Sequence, residues 1–375
     1  MTETEQLLRE LIEIPSVNPA FLSADDPKAG EQAVTEFLAI KANRAGLEVG
    51  YKKALPHRPN LLIRLAPKGK TKQRILLAPH LDTVNAAQEQ FVPRKLNGRL
   101  YGRGACDTKG SVAAMLSALL ELARTGARPA TTEIVFAGLV DEENAQSGSR
   151  ALASSGFKAN LAIVGEPTNL KVVTAHKGSL WLRFETRGKS AHGARPELGR
   201  NAVHEMCRVV NLLQTDYAAS LGRRTHSLLG NATVSVGVIV GGTQPNIVPD
   251  KCSILVDRRT LPGETEIGVR REIQRLLRRE GLRAVCADNK LAPCHPLETN
   301  PGLPLVRQFL NQVRQRALAG VDYFTDAAVL AEGGIPSVVY GPGDIAYAHT
   351  AAEWLDLAGL ETAKGSLARF LRSLA

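Results

Sequence analysis

The chain is 375 residues long, 44% hydrophobic, and carries a formal net charge of +10, enough apolar material for a large core and length enough for two domains. No stretch approaches the roughly 20 uninterrupted apolar residues of a membrane helix. Aromatic residues at 5% leave the dispersed basic residues without interleaved stacking platforms, so nucleic-acid and membrane partners are set aside, and the basic balance suits an anionic small-molecule substrate instead.

From the N-terminus, MTETEQLLRELIEIPSV reads as an acidic amphipathic helix with neither the basic nor the apolar region of a secretory leader. The five cysteines (Cys106, Cys207, Cys252, Cys286 and Cys294) are odd in number and form no CxxC pair. That pattern speaks for free thiols in a reducing cytoplasm rather than a disulfide framework or zinc knuckle. PNLLIRL and QRILLAPH read as strands, GSVAAMLSALLELARTG as an almost wholly apolar helix, and TEIVFAGLV as a buried strand. SGSRALASSG follows as a short helix and ANLAIVG as another buried strand. Continuous apolar strands alternating with helices predict a mostly parallel sheet with helices on both faces.

Around HKGSL the texture changes. LWLRFETRG alternates as a half-exposed strand does, and GRNAVHEMCRVVNLLQ is an amphipathic helix. NATVSVGVIVGG and KCSILVDRRT are two further strands. The arginine-rich VRREIQRLLRRE aligns Val269, Ile273, Leu276 and Leu277 on one face of a helix whose other face is solvated, and LRAVCAD closes the series. This order predicts a small α+β insertion with a four-stranded, largely antiparallel sheet. After KLAPCHPLETNPG the α/β texture returns with a helix, GIPSVVYGPG and the C-terminal GLETAKGSLARFLRSL. The expected fold class is therefore α/β: a main domain of residues 1–177 and 290–375, interrupted by a smaller α+β domain of residues 178–289.

Ionisable residues gather just beyond the buried strands. His80 and Asp82 follow QRILLAP; Asp141, Glu142 and Glu143 follow TEIVFAGLV; Glu166 follows NLAIVG. Asp107 precedes the apolar helix, and His349 comes soon after PSVVY. Ligands of open α/β sheets bind outside the carboxyl ends of the strands, so these groups are expected at one edge. Acids crowded without a cation repel one another and their pKa values rise; a divalent metal resolves that. Two imidazoles with three or more carboxylates suit zinc or a similar borderline metal better than Ca²⁺ or Mg²⁺. Five ligands exceed what one open catalytic zinc takes and fit two metals about 3.5–4 Å apart, bridged by a carboxylate and a water. Asp82 then falls into place as the carboxylate that orients the metal-bound imidazole of His80.

In order along the chain, HLDTV, YGRGACDTKG, VDEEN, VGEPT, KSAHGARPELGRNA, DRRTLPGE and YAHTAAEW resemble a di-zinc amidohydrolase and metallopeptidase family. That family includes acetylornithine deacetylase, succinyl-diaminopimelate desuccinylase, aminoacylase and glutamate carboxypeptidase. The resemblance implies a zinc-peptidase-like fold with a lid and dimerisation domain, and two Zn²⁺ per subunit, with Co²⁺ a possible substitute. It assigns His80 and Glu166 to one metal, Glu143 and His349 to the other, and Asp107 to the bridge. It makes Glu142 the general base and acid, and the peptide bond after Asp107 cis. His192, in the insertion, would stabilise the oxyanion, coming from the partner subunit in similar homodimers. Asn246 and Arg258 match positions that meet a substrate carboxylate, which an arginine fork grips in two places.

The glutamate of GEPT accompanies deacylases in that family. GEPT, AHKG and YGPG resemble the acetylornithine deacetylase branch, whereas YFTDAAVL resembles the desuccinylase and aminoacylase branch. The expected reaction is hydrolysis of the amide of an N-acyl amino acid, acetylornithine deacetylase-like. Desuccinylase, aminoacylase and carboxypeptidase activities are the alternatives, and a non-catalytic binding relative is the distant one.

Overall fold

The computed structural model describes residues 1–23, 25–287 and 293–375. They divide into two compact units: Met1–Thr174 with Thr299–Ala319 and Thr325–Ala375, and Ala175–Glu298 with Gly320–Phe324. The expected boundary between residues 289 and 290 lies outside the described residues.

In the first unit, helix α1 (Glu3–Glu13) starts at Thr2, whose hydroxyl accepts the Glu5 N–H. Helix α2 (Gln32–Arg44) and strand β1 (Glu48–Leu55) follow, then β2 (Arg58–Leu65) and β3 (Gln73–Pro79). β1 has no continuous apolar run because it is a half-exposed edge strand. Helix α3 (Lys109–Thr125) is buried along nearly its whole length and ends at Gly126, which takes the left-handed conformation at φ 66° that a residue with a Cβ resists. Strand β4 (Thr132–Gly138), helix α4 (Ser147–Ser154) and strands β5 (Leu161–Gly165) and β6 (Val173–His176) come next.

The chain then builds the second unit. Strand β7 (Gly178–Arg187) leads to helix α5 (Ala202–Leu212), strands β8 (Thr233–Gly241) and β9 (Lys251–Thr260), helix α6 (Glu266–Arg279) and strand β10 (Ala284–Ala287). Its sheet runs β8-β9-β7-β10, antiparallel throughout. Leu180, Leu182 and Phe184 of β7, with Cys252, Ile254 and Val256 of β9, form one apolar face. Met206 and Val209 of α5 and Val269, Ile273 and Leu277 of α6 pack against that face.

Back in the first unit, helix α7 (Pro304–Gln312) and helix α8 (Asp326–Glu332) precede strand β11 (Ser337–Val339) and helix α9 (Leu357–Arg372). The large sheet is mixed. β1 and β2 are antiparallel, β2 runs antiparallel to β4, and β6 antiparallel to β11. Its centre, β4-β3-β5-β11, is parallel. These four strands are almost fully buried, as a parallel sheet covered on both faces requires. Their shared direction puts all four carboxyl ends at one edge. Among the described residues, no helix is long and apolar enough to cross a membrane, and none of the five cysteines is joined in a disulfide.

Candidate active site

His80 follows β3, Glu142 and Glu143 follow β4, and Glu166 follows β5, so the parallel centre delivers all four to the carboxyl edge. Asp107 arrives there from the turn before α3, and His349 from the loop after β11. The Asp107–Thr108 peptide bond is cis. His349 and Asp141 both hold positive φ, 61° and 67°, a costly backbone region for such residues and one that clusters at functional sites.

The two oxygens of Asp107 face two different imidazoles. Oδ1 lies 3.1 Å from His80 Nε2, and Oδ2 lies 3.3 Å from His349 Nε2. Glu166 Oε1 stands 3.8 Å from His80 Nε2, and Glu143 lies 3.2 Å from His349 Nε2. Candidate ligand atoms of His80, Asp107 and Glu166 lie within 4.8 Å of one another, as do those of Asp107, Glu143 and His349. Two three-residue groups thus share Asp107, the arrangement expected of a carboxylate bridging two ions.

The electrostatics point the same way. Burial pushes Glu142 and Glu166 well above the carboxylate range, and neighbouring carboxylates add to it. Asp107 is pushed down despite its burial, by hydrogen bonds to His349 and His80. Hydrogen bonds to Asp107 and then Glu143 raise His349 to about 10. The raised Glu142, Glu166 and His349 reflect one dense negative field, while Asp107 is held down by the two imidazoles it faces. A divalent cation neutralises such a field without requiring protonated imidazoles. Buried Glu166 Oε1, which has no hydrogen-bond partner, is an oxygen available to such a cation.

Asp82, expected to orient His80, is fully buried and lies beside the imidazole. The nearest acceptor to His80 Nδ1 is the backbone carbonyl of Asp82, at 3.0 Å, with the carboxylate Oδ1 at 3.5 Å. The carboxylate itself accepts the backbone N–H groups of Glu142 and Glu143, each at 3.1 Å, and the Asn18 amide at 2.8 Å. One residue, through its backbone carbonyl and its carboxylate, therefore contacts both the imidazole and the loop carrying the paired glutamates.

Several residues at this edge escape a reading of strand ends. Glu353, buried, accepts the backbone N–H groups of Gly104, Cys106 and Asp107 at 3.1, 2.9 and 3.0 Å, and pairs with Arg103 at 2.5 Å. It thereby holds the turn that presents Asp107. Its position four residues after His349, within YAHTAAEW, is the signal that could have found it. Asp326, at the start of α8, accepts the Ser149 hydroxyl at 2.5 Å, keeps Oδ2 unpartnered, and is raised to about 6 by burial.

His192, Asn246 and Arg258 belong to the second unit. The first two share a loop pair: His192 bridges Ile247, the Gly193 N–H donates to the Asn246 carbonyl at 2.7 Å, and both side chains are exposed. Arg258, expected to grip a carboxylate, is engaged within its own unit instead. Its guanidinium is fully buried and donates to Tyr217 Oη at 3.1 Å and to Glu264 at 2.6 Å. Alternation along β9 explains it, because Arg258 falls in phase with Ile254 and Val256 on the helix-covered face. Arg259 falls on the opposite face, where its Nε donates to Asp257 at 2.9 Å.

The fold and this edge together define a metallopeptidase or amidohydrolase of the α/β class. Residues 76–373 match peptidase family M20/M25/M40, and the chain belongs to that family. It is 32% identical to an acetylornithine deacetylase of Myxococcus xanthus over 323 residues, covering 83% of this chain and 82% of that protein. It is 28% identical to an acetylornithine deacetylase of Proteus mirabilis over 98% of this chain and 96% of that protein. In structure it resembles an aminopeptidase from Bacillus cereus with a TM-score of 0.80 at 22% identity, over 98% of this chain and 97% of that one. A dinuclear metal binding peptidase of the M20 family from Bacillus subtilis superposes with a TM-score of 0.71 at 16% identity, over 98% and 96% of the two chains. At these identities the structural likenesses establish the fold.

Proposed function

We propose that the protein is a two-metal N-acyl amino acid deacylase, acetylornithine deacetylase-like in substrate, that releases a free amine and a small carboxylate. The observation that carries this reading is the pair of three-residue groups sharing Asp107, with Glu142 beside them. His80 and Glu166 would hold one divalent ion, His349 and Glu143 the other, with Asp107 between. Imidazole with carboxylate favours zinc, and Co²⁺ is the natural substitute. When bound, such ions polarise the amide carbonyl and bring the pKa of water toward about 7.

The protein's own groups do the rest. Glu142, whose carboxyl burial pushes up, takes the proton of the attacking water and returns it to the departing amine, the work of a general base and acid. Asp82 and the Glu353 turn keep the ligands aimed. Exposed His192 is the donor assigned to the developing oxyanion. Asn246 and, of the arginine pair, Arg259 on the open sheet face rather than buried Arg258 are assigned to the substrate's carboxylate end. Glutamate at position 166 and the identity to acetylornithine deacetylases across nearly the whole chain favour the acetyl substrate.

A homodimer through the second unit belongs to the same proposal. β8 is an edge strand, and Val238, Ile239 and Val240 on it are 44%, 52% and 64% exposed. An exposed apolar edge invites strand pairing, and a second copy closing it removes an aggregation hazard. Five cysteines held as thiols rather than disulfides fit the cytoplasm.

The test is amine release from N-acetyl-L-ornithine by Zn²⁺-loaded protein, with N-succinyl-L,L-diaminopimelate in parallel. Chelator-sensitive turnover of the acetyl substrate that drops by about 10²–10⁴ in Glu142→Ala, the usual worth of a general base, supports the reading. Preference for the succinyl compound keeps the chemistry and changes the substrate. Silence on both, without zinc uptake, refutes the two-metal reading.

A further inference from the structure

Asn18 lies in the loop after α1, distant in sequence from every residue of the candidate centre, and its side chain is fully buried. Its Oδ1 accepts the Ala20 N–H at 3.0 Å, which fixes the orientation of the amide. Nδ2 must then face the other way, where it donates to Asp82 Oδ2 at 2.8 Å and to Asp141 Oδ1 at 3.0 Å. Both hydrogens of the amide nitrogen are thus engaged by carboxylates. Few side chains of this size could replace it: a hydroxyl has one hydrogen to donate, a carboxylate none, and a lysine would bring a charge and a longer stem.

Behind Asp141 stands a second clamp. Arg58 grips Glu31 in two places, Nε to Oε2 and Nη2 to Oε1, both at 2.7 Å, and its Nη2 also reaches Asp141 Oδ1 at 3.4 Å. Glu31 Oε1 accepts the Asp141 backbone N–H at 3.1 Å. The continuous chain Glu31–Arg58–Asp141–Asn18–Asp82 therefore ends on the two backbone N–H groups of Glu142 and Glu143 and beside His80 Nδ1. Asp82 and Asp141 are like charges drawn to one nitrogen. In a poorly solvated interior their repulsion is felt strongly, and a neutral double donor between them is the arrangement that holds both in place.

We propose that Asn18 is a positioning residue for the candidate metal centre. By tying Asp82 to Asp141 it sets the imidazole of His80 and the Glu142–Glu143 loop at the same time. The inference rests on the two-metal reading above and adds to it a residue outside the ligand set. A merely structural Asn18 would contribute stability alone. A positioning Asn18 changes how the folded protein holds a metal, since partners behind metal ligands typically govern affinity or activity by 10–100-fold.

The experiment uses the full chain and Co²⁺ as the probe, read by visible absorption and by titration, with kcat and KM measured alongside on the substrate the wild type turns over. Asn18→Asp keeps the shape and replaces both donors with acceptors; Asn18→Ser keeps one donor and adds no charge. Circular dichroism and a urea titration report whether each variant is folded. The expected result is a shifted Co²⁺ spectrum, affinity weakened by about 10–100-fold in Asn18→Asp and less in Asn18→Ser, and a fall in kcat that exceeds any change in KM. Asn18→Ser carries the test should Asn18→Asp fail to fold. Folded variants with the wild-type spectrum and affinity would overturn the positioning role while leaving the two-metal reading intact. A wild-type protein that takes up no Co²⁺ or Zn²⁺ would overturn both.

Discussion

Removing the Glu353 carboxylate asks how much the Asp107 turn depends on a single buried anchor. Arg103, 3% exposed, loses its partner in Glu353→Ala, and leaving one half of a buried ion pair costs about 3–5 kcal/mol. The N–H groups of Gly104, Cys106 and Asp107 lose their acceptor as well, at about 1–3 kcal/mol for each buried donor left unpaired. These contributions overlap, because one relaxation or one entering water answers several of them. A net loss on the order of 5 kcal/mol is expected, a large part of the roughly 5–15 kcal/mol that holds a typical fold together. Glu353→Gln keeps a carbonyl oxygen for the Cys106 and Asp107 N–H groups and removes the negative charge that faces Arg103, so its cost should fall near 3 kcal/mol, the low end of the ion-pair range. Urea titration followed by circular dichroism, in chelator so that metal binding adds nothing to stability, separates the two variants. A Glu353→Ala protein within about 1 kcal/mol of the wild type, the scale of an ordinary surface change, would refute the idea that this carboxylate anchors the turn.

Two further outcomes can be checked directly. A Cβ on Gly341 would stand 2.5 Å from the Glu166 carbonyl oxygen and press on the Ser111 hydroxyl, so Gly341→Ala should displace Glu166 and weaken metal uptake at the His80 side; unchanged Co²⁺ affinity would contradict it. His176 is buried, its Nδ1 is 2.9 Å from the Lys177 carbonyl oxygen, its Nε2 has no partner, and burial pushes it down to about 4. Between that value and the unfolded pKa of about 6.5 the unfolded chain binds a proton that the folded chain refuses, so stability falls as pH drops through this window and is indifferent to His176 above it. The shift corresponds to about 3 kcal/mol by pH 4. His176→Asn should flatten that part of the stability profile in urea titrations, and parallel profiles for variant and wild type would refute it.

The residues meeting at the carboxyl edge are legible in sequence for a geometric reason. β4, β3, β5 and β11 are parallel and buried, so whatever follows each strand must emerge at one edge, and His80, Glu142, Glu143 and Glu166 do. Asn18 and Glu353 are not legible that way. They reach the edge from a loop after α1 and from beyond His349, and what makes them matter is a set of hydrogen bonds to groups hundreds or tens of residues away, which the pattern of strand ends does not encode. β1 is missed for a different reason: an edge strand with one side in water has no need of a continuous apolar run.

Arg258 is a separate case, because the information lies in the sequence itself. In KCSILVDRRT, positions 252, 254 and 256 are apolar and positions 251, 253 and 257 are polar. The period of two then assigns Arg258 to the covered face and Arg259 to the open one. Matching a motif position by position chooses the first arginine; following the pleat chooses the second. The buried guanidinium against Tyr217 and Glu264 agrees with the pleat. Arg258→Met should therefore act on the stability of the second unit, by removing the buried guanidinium that donates to Tyr217 Oη and Glu264. Arg259→Met should leave stability nearly untouched and raise KM for a substrate bearing a free carboxylate. If the two effects are exchanged, so that Arg258→Met raises KM in a fully stable protein, the alternation argument fails for this strand.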